Sequence, residues 1–119
     1  MVDVRRGDIV IVELNPTEGS EQQGDARPCV VIQNDKGNQF SPTTIVAPFT
    51  TKYDPEELYP FEVEVKASES PLKQDSVADL SQIRVIDTDH RVISNIGSLS
   101  FTHMVDIDRA IQVSLGLGR

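Results

Sequence analysis

One polar loop carries the residue types most able to do chemistry. From Gly19 to Asp35 the chain reads GSEQQGDARPCVVIQND, and its loop portion holds an acid, Glu21, and a cation, Arg27. Glycines let such a loop approach a ligand closely, while Pro28 fixes its exit into an apolar strand. Functional side chains concentrate on loops at strand edges, although a solvated hairpin with a surface ion pair would give the same pattern.

The spacing of the cysteine and the two histidines does not predict a catalytic or metal-binding site. Cys29 is the single cysteine and lies in an apolar segment, so we expect a packing residue rather than a nucleophile. His90 and His103 lie far along the chain from the loop, which disfavours a histidine acid and base pair. Two histidines with scattered carboxylates have no metal-ligand spacing. We therefore expect no metal and no cofactor.

Short alternating segments predict an antiparallel sheet that positions the loop. Residues 8–14 predict a strand with apolar residues on both faces, as in a two-sided core. In a later strand Phe61, Val63 and Val65 should face inward, while the charged residues between them face water. The other predicted strands are 29–33, 43–49, 76–80 and 82–86, with a turn segment at 35–42.

Helix is predicted toward the C-terminus. A polar cluster at 87–89 offers the start of a short helix ahead of 95–97. Ser100 can cap a longer helix that Gly116 ends. Its predicted apolar face contains Phe101, Met104, Ile107, Ile111 and Leu115. The sequence thus predicts a single domain over residues 1–119, mainly β with a C-terminal helix, in the form of one small twisted barrel.

Composition limits the classes of function. The chain has 119 residues, with 11 Lys plus Arg against 19 Asp plus Glu and a formal net charge of −8. No apolar run could cross a bilayer, so we expect a cytoplasmic protein without membrane contact. A nucleic-acid-binding surface usually carries a basic footprint, and this acidic balance argues against one.

Much of the acidic excess is local. Between residues 54 and 69 six acids face one base, Lys66, which accounts for five of the eight surplus negative charges. A local acidic face leaves room for a small basic groove elsewhere. A salt-rich host is a second explanation, because the screening length falls to about 3 Å at 1 M salt.

Four ordered blocks of sequence resemble the MazF/PemK family of toxin endoribonucleases, relatives of Kid and of the gyrase poison CcdB. The blocks are RRGDIVIVELNPTEGSEQ, ARPCVVIQND, SPTTIVAPFT and QIRVID, followed by a terminal helix ending in SLGLG. The resemblance runs from Arg6 to about Gly118 and implies a small SH3-like barrel of the CcdB/MazF type. Several blocks in order are more specific than any single motif.

The resemblance implies metal-independent cleavage of single-stranded RNA, in which the ribose 2′-OH attacks its own phosphodiester. The products are a 2′,3′-cyclic phosphate and a 5′-OH. Arg27 would stabilise the phosphorane, because a guanidinium matches phosphate oxygens in pairs. Thr50 would donate to the scissile phosphate, and Glu21 would act as the base.

Two of these assignments have local competitors. The family's acid and arginine are usually one residue closer together, so an insertion near 23–25 makes Asp25 an alternative to Glu21. Thr51 is the alternative to Thr50, because neighbouring strand residues face opposite sides.

The resemblance also implies RNA-binding residues and partners. The predicted RNA-binding residues are Gln22, Asn34, Lys36, Lys52, Gln82 and Arg84. For Asn34, Gln82 and Arg84, structural hydrogen bonding is the competing role. The implied partners are a second copy of the chain and a MazE-like antitoxin whose peptide fills the RNA groove. The main alternative is a CcdB-like poison that binds a topoisomerase and catalyses nothing. An SH3-like adaptor would need an exposed aromatic groove, which this aromatic-poor chain hardly offers.

Overall fold

The computed structural model describes residues 2–22 and 26–117, which form a curved antiparallel sheet with a helix packed against it. In that part of the chain the strands are β1 Asp8–Glu13, β2 Ala26–Val31, β3 Thr43–Thr50, β4 Glu62–Val65, β5 Ser76–Asp79, β6 Arg84–Asp87 and β7 Val92–Ser98. The helices are α1 Asp35–Phe40, α2 Thr88–Arg91 and α3 Phe101–Leu115, with 3-10 turns at Ala67–Glu69 and Leu80–Gln82.

The long strand β3 joins the parts of the sheet because its two halves have different neighbours. Residues 43–46 pair with β6 and the last two residues pair with β5, while β2 pairs with the opposite edge. The strand order is β4-β5-β3-β2-β1-β7. The predicted fold, mainly β with a C-terminal helix, is confirmed. Its barrel is open, since no pairing among the described residues joins β4 to β7.

Alternation along the strands builds one core on each face of the sheet. Ile9 of β1 points toward α3, and Val10 and Val12 point to the other face, as the two-sided prediction required. We call the group beneath α3 the helix-side core: Ile9, Val30, Ala47, Phe49, Val63, Val65, Leu72, Ala78, Leu80, Leu99, Ile107 and Ala110. The site-side core comprises Val4, Val10, Val12, Leu14, Cys29, Val31, Val46, Ile86 and Val92.

Helix α3 has the predicted ends, and the middle of its predicted apolar face packs against the sheet. The Ser100 side chain accepts a hydrogen bond from the His103 N–H at 3.1 Å, and Gly116 ends the helix in the left-handed conformation with φ of 73°. As predicted, Ile107 is buried and Met104 and Ile111 pack against the helix-side core, and His103 and Ala110 are buried as well. Phe101 and Leu115 are exposed, at 84% and 58%, so their prediction as part of the buried face is wrong.

Three predicted boundaries also differ. The turn predicted at 35–42 contains helix α1, because the Asn34 side chain caps its first turn. The strand predicted at 82–86 begins at Arg84, since Leu80–Gln82 forms a 3-10 turn. The region around 95–97 belongs to strand β7, which pairs with β1. In β7, Gly97 has φ of 134° and approaches Pro71 so closely that a Cβ would lie 2.6 Å from its ring.

Candidate active site

The register of β2 and β3 brings two of the predicted catalytic residues together. Cys29 pairs with Pro48, and Val31 pairs with Val46, so each pair shares one face of the sheet. Arg27 and Thr50 are the next residues on that face, and the same register continued by two residues sets them opposite each other. Directly opposed residues have Cβ atoms about 5 Å apart. Both side chains are half-buried.

Arg27 is fixed against the strand that carries Thr50. Its Nη1 donates to the Phe49 carbonyl at 3.0 Å. The Phe49 side chain is buried in the helix-side core, which anchors the backbone that holds the guanidinium. The cation therefore has a defined position beside the peptide group that links Phe49 to Thr50.

The Thr50 hydroxyl is oriented by the backbone that follows it. Its Oγ1 accepts a hydrogen bond from the Lys52 N–H at 3.2 Å, and a hydroxyl that accepts can still donate its own hydrogen. Thr51 lies beyond the end of β3 and is exposed, and by alternation it belongs with Phe49 rather than with Thr50. The geometry favours Thr50 over Thr51 as the residue on the Arg27 face.

Glu21, the predicted base, is turned onto its own loop. Its Oε1 accepts the Glu18 N–H at 2.5 Å, and its N–H donates to the Glu18 carbonyl at 3.1 Å. The side chain is exposed. Asp25, the competing acid, and the insertion at 23–25 lie outside the described residues.

Two arginines bind the backbone at the end of β1, where this loop begins, which we call the loop root. Arg84 Nη1 donates to the Leu14 carbonyl at 2.8 Å. Arg91 Nη1 donates to the Glu13 and Asn15 carbonyls at 2.9 and 2.8 Å. Three successive carbonyls at the end of β1 are thus bound by guanidinium groups, so the loop starts from a rigid base.

A cleft of about 110 Å³ lies on the site side, beside the end of β3. It brings Glu21 together with three predicted RNA-binding residues, Gln22, Gln82 and Arg84. The Gln22 N–H donates to Gln82 Oε1 at 3.1 Å and ties the loop to the 3-10 turn. The sequence analysis missed the other lining residues, which come from separate segments: Leu14, Pro48, Ser81 and Ile83.

Buried Cys29 lies close to both site arginines. Burial raises the pKa of its thiol to about 12, and the nearby charges of Arg27 and Arg84 act in the opposite direction. Cys29 is therefore protonated at neutral pH, which confirms the prediction of a packing residue. Two arginines thus lie near this one buried thiol, within a chain of net negative charge.

The remaining predicted RNA-binding residues are divided between the two ends of β3. Lys52 is exposed just after Thr50. Asn34 and Lys36 lie at α1, beyond the opposite end of a strand whose eight residues span about 24 Å. The Asn34 Oδ1 accepts the Gly37 N–H at 2.8 Å, so this residue has the structural role considered as its alternative.

The two histidines lie apart, each with a local partner. His103 is buried at the start of α3, where Nδ1 is 3.1 Å from the Ser100 hydroxyl and Nε2 is 3.6 Å from Glu69. His90 is exposed on α2, and its hydrogen bond to Asp87 raises the pKa of His90 and lowers that of Asp87. Across residues 2–22 and 26–117, no group of three or more His, Cys, Asp or Glu side chains could hold a metal ion.

Known proteins resemble this chain along most of its length. Residues 5–115 match the family described as PemK-like, MazF-like toxin of type II toxin-antitoxin system. Endoribonuclease MazF from Staphylococcus epidermidis is 43% identical over 96% of this chain and 92% of its own. The protein of the same name from Staphylococcus saprophyticus is 44% identical over the same shares.

Solved structures share the fold at lower identity. MazF from Deinococcus radiodurans superposes with a TM-score of 0.79 at 20% identity, over 98% of this chain and 99% of that one. An endoribonuclease from a mycobacterial species, solved in complex with its cognate antitoxin, gives a TM-score of 0.79 at 20% identity over 98% of both chains.

The chain belongs to the PemK-like, MazF-like toxin family of type II toxin-antitoxin systems. It is thus a MazF-like toxin endoribonuclease, which confirms the class predicted from the four sequence blocks and decides against the CcdB-like alternative. In the described residues, no helix combines the length and apolar character that crossing a membrane requires.

Proposed function

We propose that the chain cleaves single-stranded RNA without a metal, at a site formed by Arg27, Thr50 and Glu21. The observation that carries this proposal is the register that sets Arg27 opposite Thr50, with the guanidinium held by the Phe49 carbonyl. A charged and a neutral donor would then lie side by side, at the ends of two strands, where one phosphate could accept from both.

The reaction needs a group that accepts the 2′-OH proton and groups that stabilise the negative charge that develops on the phosphorane. The 2′-OH loses its proton to the base and bonds to phosphorus, and the bond from phosphorus to the 5′-oxygen breaks. The departing oxygen takes up a proton as a 5′-OH, and a 2′,3′-cyclic phosphate remains. Arg27 stabilises the added negative charge of the phosphorane, and the Thr50 hydroxyl donates to a phosphate oxygen.

Glu21 must turn to act as the base. A general base needs to come within about 2.6–3.2 Å of the proton that it removes. In the present conformation the Glu21 carboxylate bonds the Glu18 N–H instead. We infer that RNA binding turns the Glu21 side chain toward the 2′-OH, around a loop root that Arg84 and Arg91 keep fixed.

The predicted partners follow from the same groove. RNA would lie across the cleft of Gln22, Gln82 and Arg84, pass Thr50 and Lys52, and continue along β3 toward Asn34 and Lys36. Since a mycobacterial relative in fold was solved with its cognate antitoxin, we propose a MazE-like antitoxin that occupies this groove. We further propose a single toxin domain over 1–119 that works as a cytoplasmic homodimer.

The experiment uses the full chain and a mixed RNA in EDTA. We expect new 5′ ends that become radiolabelled by a kinase without prior phosphatase treatment, and new 3′ ends that carry a cyclic phosphate. An oligonucleotide with a single 2′-deoxy sugar at a mapped cleavage position is the matched control and should resist cleavage there. A requirement for a divalent metal, or products with 5′-phosphates, would refute the proposal.

A further inference from the structure

We propose that Gln82 determines base specificity, by selecting a base with a keto oxygen at the nucleotide next to the scissile phosphate. This proposal rests on the proposed RNA cleavage, because it assigns a role to the cleft beside the Arg27 and Thr50 face. Uracil and guanine carry such an oxygen, whereas cytosine and adenine carry an amino group at the corresponding position.

The orientation of the Gln82 amide is fixed from inside the protein. Its Oε1 accepts the Gln22 N–H at 3.1 Å, and a backbone N–H can pair only with the oxygen end of an amide. The half-buried side chain lines the cleft, and no partner for its Nε2 exists among the described residues. Gln82 therefore offers an NH₂ group, which is a donor, to whatever enters the cleft.

The cleft suits one base beside the scissile group. Leu14, Pro48 and Ile83 give it apolar walls on which the face of a base can rest, within a volume of about 110 Å³. Pro48 precedes Thr50 by two residues on the same face of β3, so a base held there belongs to a nucleotide adjacent to the phosphate at Thr50.

A second donor strengthens the same preference. Arg84 lines the cleft, and its hydrogen bond to the Leu14 carbonyl holds the guanidinium in place. The Ser81 hydroxyl, in contrast, is bound to Asp79 at 2.5 Å. A keto oxygen accepts from the donors of Gln82 and Arg84, whereas an amino group sets donor against donor and leaves these half-buried donors unpaired.

The test replaces Gln82 by glutamate. In Gln82→Glu the side chain can still accept the Gln22 N–H, but its second oxygen now accepts where the NH₂ group donated. Gln112→Glu is the matched control, because Gln112 is exposed on α3 outside the cleft and undergoes the same change of charge.

Binding is measured with short 2′-O-methyl oligouridine and oligocytidine of equal length, which the site cannot cleave. We expect the wild-type protein and Gln112→Glu to bind oligouridine more tightly than oligocytidine. In Gln82→Glu that ratio should fall on the order of tenfold. An unchanged ratio in Gln82→Glu, or no preference in the wild type, overturns the assignment.

Cleavage of a random RNA pool gives an independent readout. One position beside the cut should favour U or G with the wild type and shift toward C or A with Gln82→Glu. If the wild type cleaves but shows no such position, the role of Gln82 falls while the nuclease stands. If the wild type cleaves nothing in EDTA, the nuclease proposal fails, and the binding ratio still decides whether Gln82 selects keto bases.

Discussion

The helix-side core and the site-side core are built by the same alternating strands, yet they end differently. Both buried clusters consist of apolar side chains, and the helix-side core is covered by α3. The site-side core reaches the ends of β2 and β3, where Arg27 and Thr50 continue the positions of Cys29 and Pro48. The comparison shows that a functional face needs no separate element, because it arises where an apolar row of a strand gives way to polar residues.

The cations of the two regions also differ in their partners. Arg6, which ties the start of the chain to α3, pairs with Asp108 at 2.6 Å. Arg84 bonds the neutral Leu14 carbonyl and has no acidic partner within 4.0 Å among the described residues. A cation held by a neutral oxygen keeps its charge available to a phosphate. A chain of net charge −8 can therefore keep a cation without an acidic partner, among its described residues, beside the candidate site.

The largest expected effect is a loss of cleavage activity without a loss of stability. Arg27→Ala should lower the rate of RNA cleavage by about 100-fold to 1,000-fold, because it removes a charged donor to the phosphorane. Thermal unfolding should stay close to wild type, since the guanidinium lies outside both cores. Arg109→Ala, an exposed arginine on α3, is the control. Near-normal cleavage by Arg27→Ala would remove Arg27 from the site.

On the helix side we expect a variant to lose stability and to keep its activity. Ile107→Ala should lower the free energy of unfolding by about 2–5 kcal/mol, because it leaves a cavity beneath α3. Cleavage per folded molecule at low temperature should stay near wild type. Ile93→Ala, at an exposed position of β7, is the control for denaturant unfolding. A rate loss as large as that of Arg27→Ala would contradict the independence of the two faces.

A third pair of variants tests the face assigned to Thr50. Thr50→Val should fold normally and cleave roughly 100-fold more slowly at most, because a neutral donor contributes less than a charged one. Thr51→Val should change the rate little, as its side chain is exposed beyond the strand. The measurement is the single-turnover cleavage rate of each variant. A larger loss of rate in Thr51→Val than in Thr50→Val would mean that Thr51, not Thr50, lies on the Arg27 face.

The smallest effect concerns the acidic segment that follows β3. Glu56 and Glu57 are exposed, whereas the Glu62 and Glu64 carboxylates bond the Tyr59 N–H and the Tyr53 hydroxyl, each at 2.9 Å. We expect the Glu56→Gln and Glu57→Gln double variant to cleave at nearly the wild-type rate in moderate salt. Exposed charges beyond a screening length of about 10 Å at 0.1 M act weakly.

A salt series sharpens this test. The double variant should be compared with wild type on one short oligonucleotide, from low to molar salt. A large gain in cleavage at low salt would mean that the acids border the groove and repel RNA.

The local features of the site were predictable from sequence, and their assembly was not. Alternation around buried Phe49 is enough to put Thr50 and Thr51 on opposite sides. The cleft residues Leu14, Pro48, Ser81 and Ile83 come from separate segments, and only the tertiary fold unites them. The hydrogen bond from Gln22 to Gln82 joins residues 60 positions apart, so no local sequence pattern could predict it.

The missed elements have similar causes. Gly37 and Asn38 resemble turn residues, but the Asn34 cap and the contact of Asn38 with Gln33 stabilise a short helix there. In β7, Asn95 and Gly97 interrupt the expected alternation. That strand is defined by its pairing with β1, which the intrinsic preference of its residues cannot supply.

The position of β1 has a consequence for how the chain is made. β1 precedes every other strand of the described residues, yet its second edge pairs with β7, and Arg6 just before it reaches Asp108, 102 residues away in sequence. Contacts between residues so far apart in sequence form late and slowly during folding. During translation, one edge of β1 therefore stays unpaired until β7 has been synthesised. The sheet of this MazF-like toxin is thus completed only after β7 has been made, and the Arg6 contact only after α3.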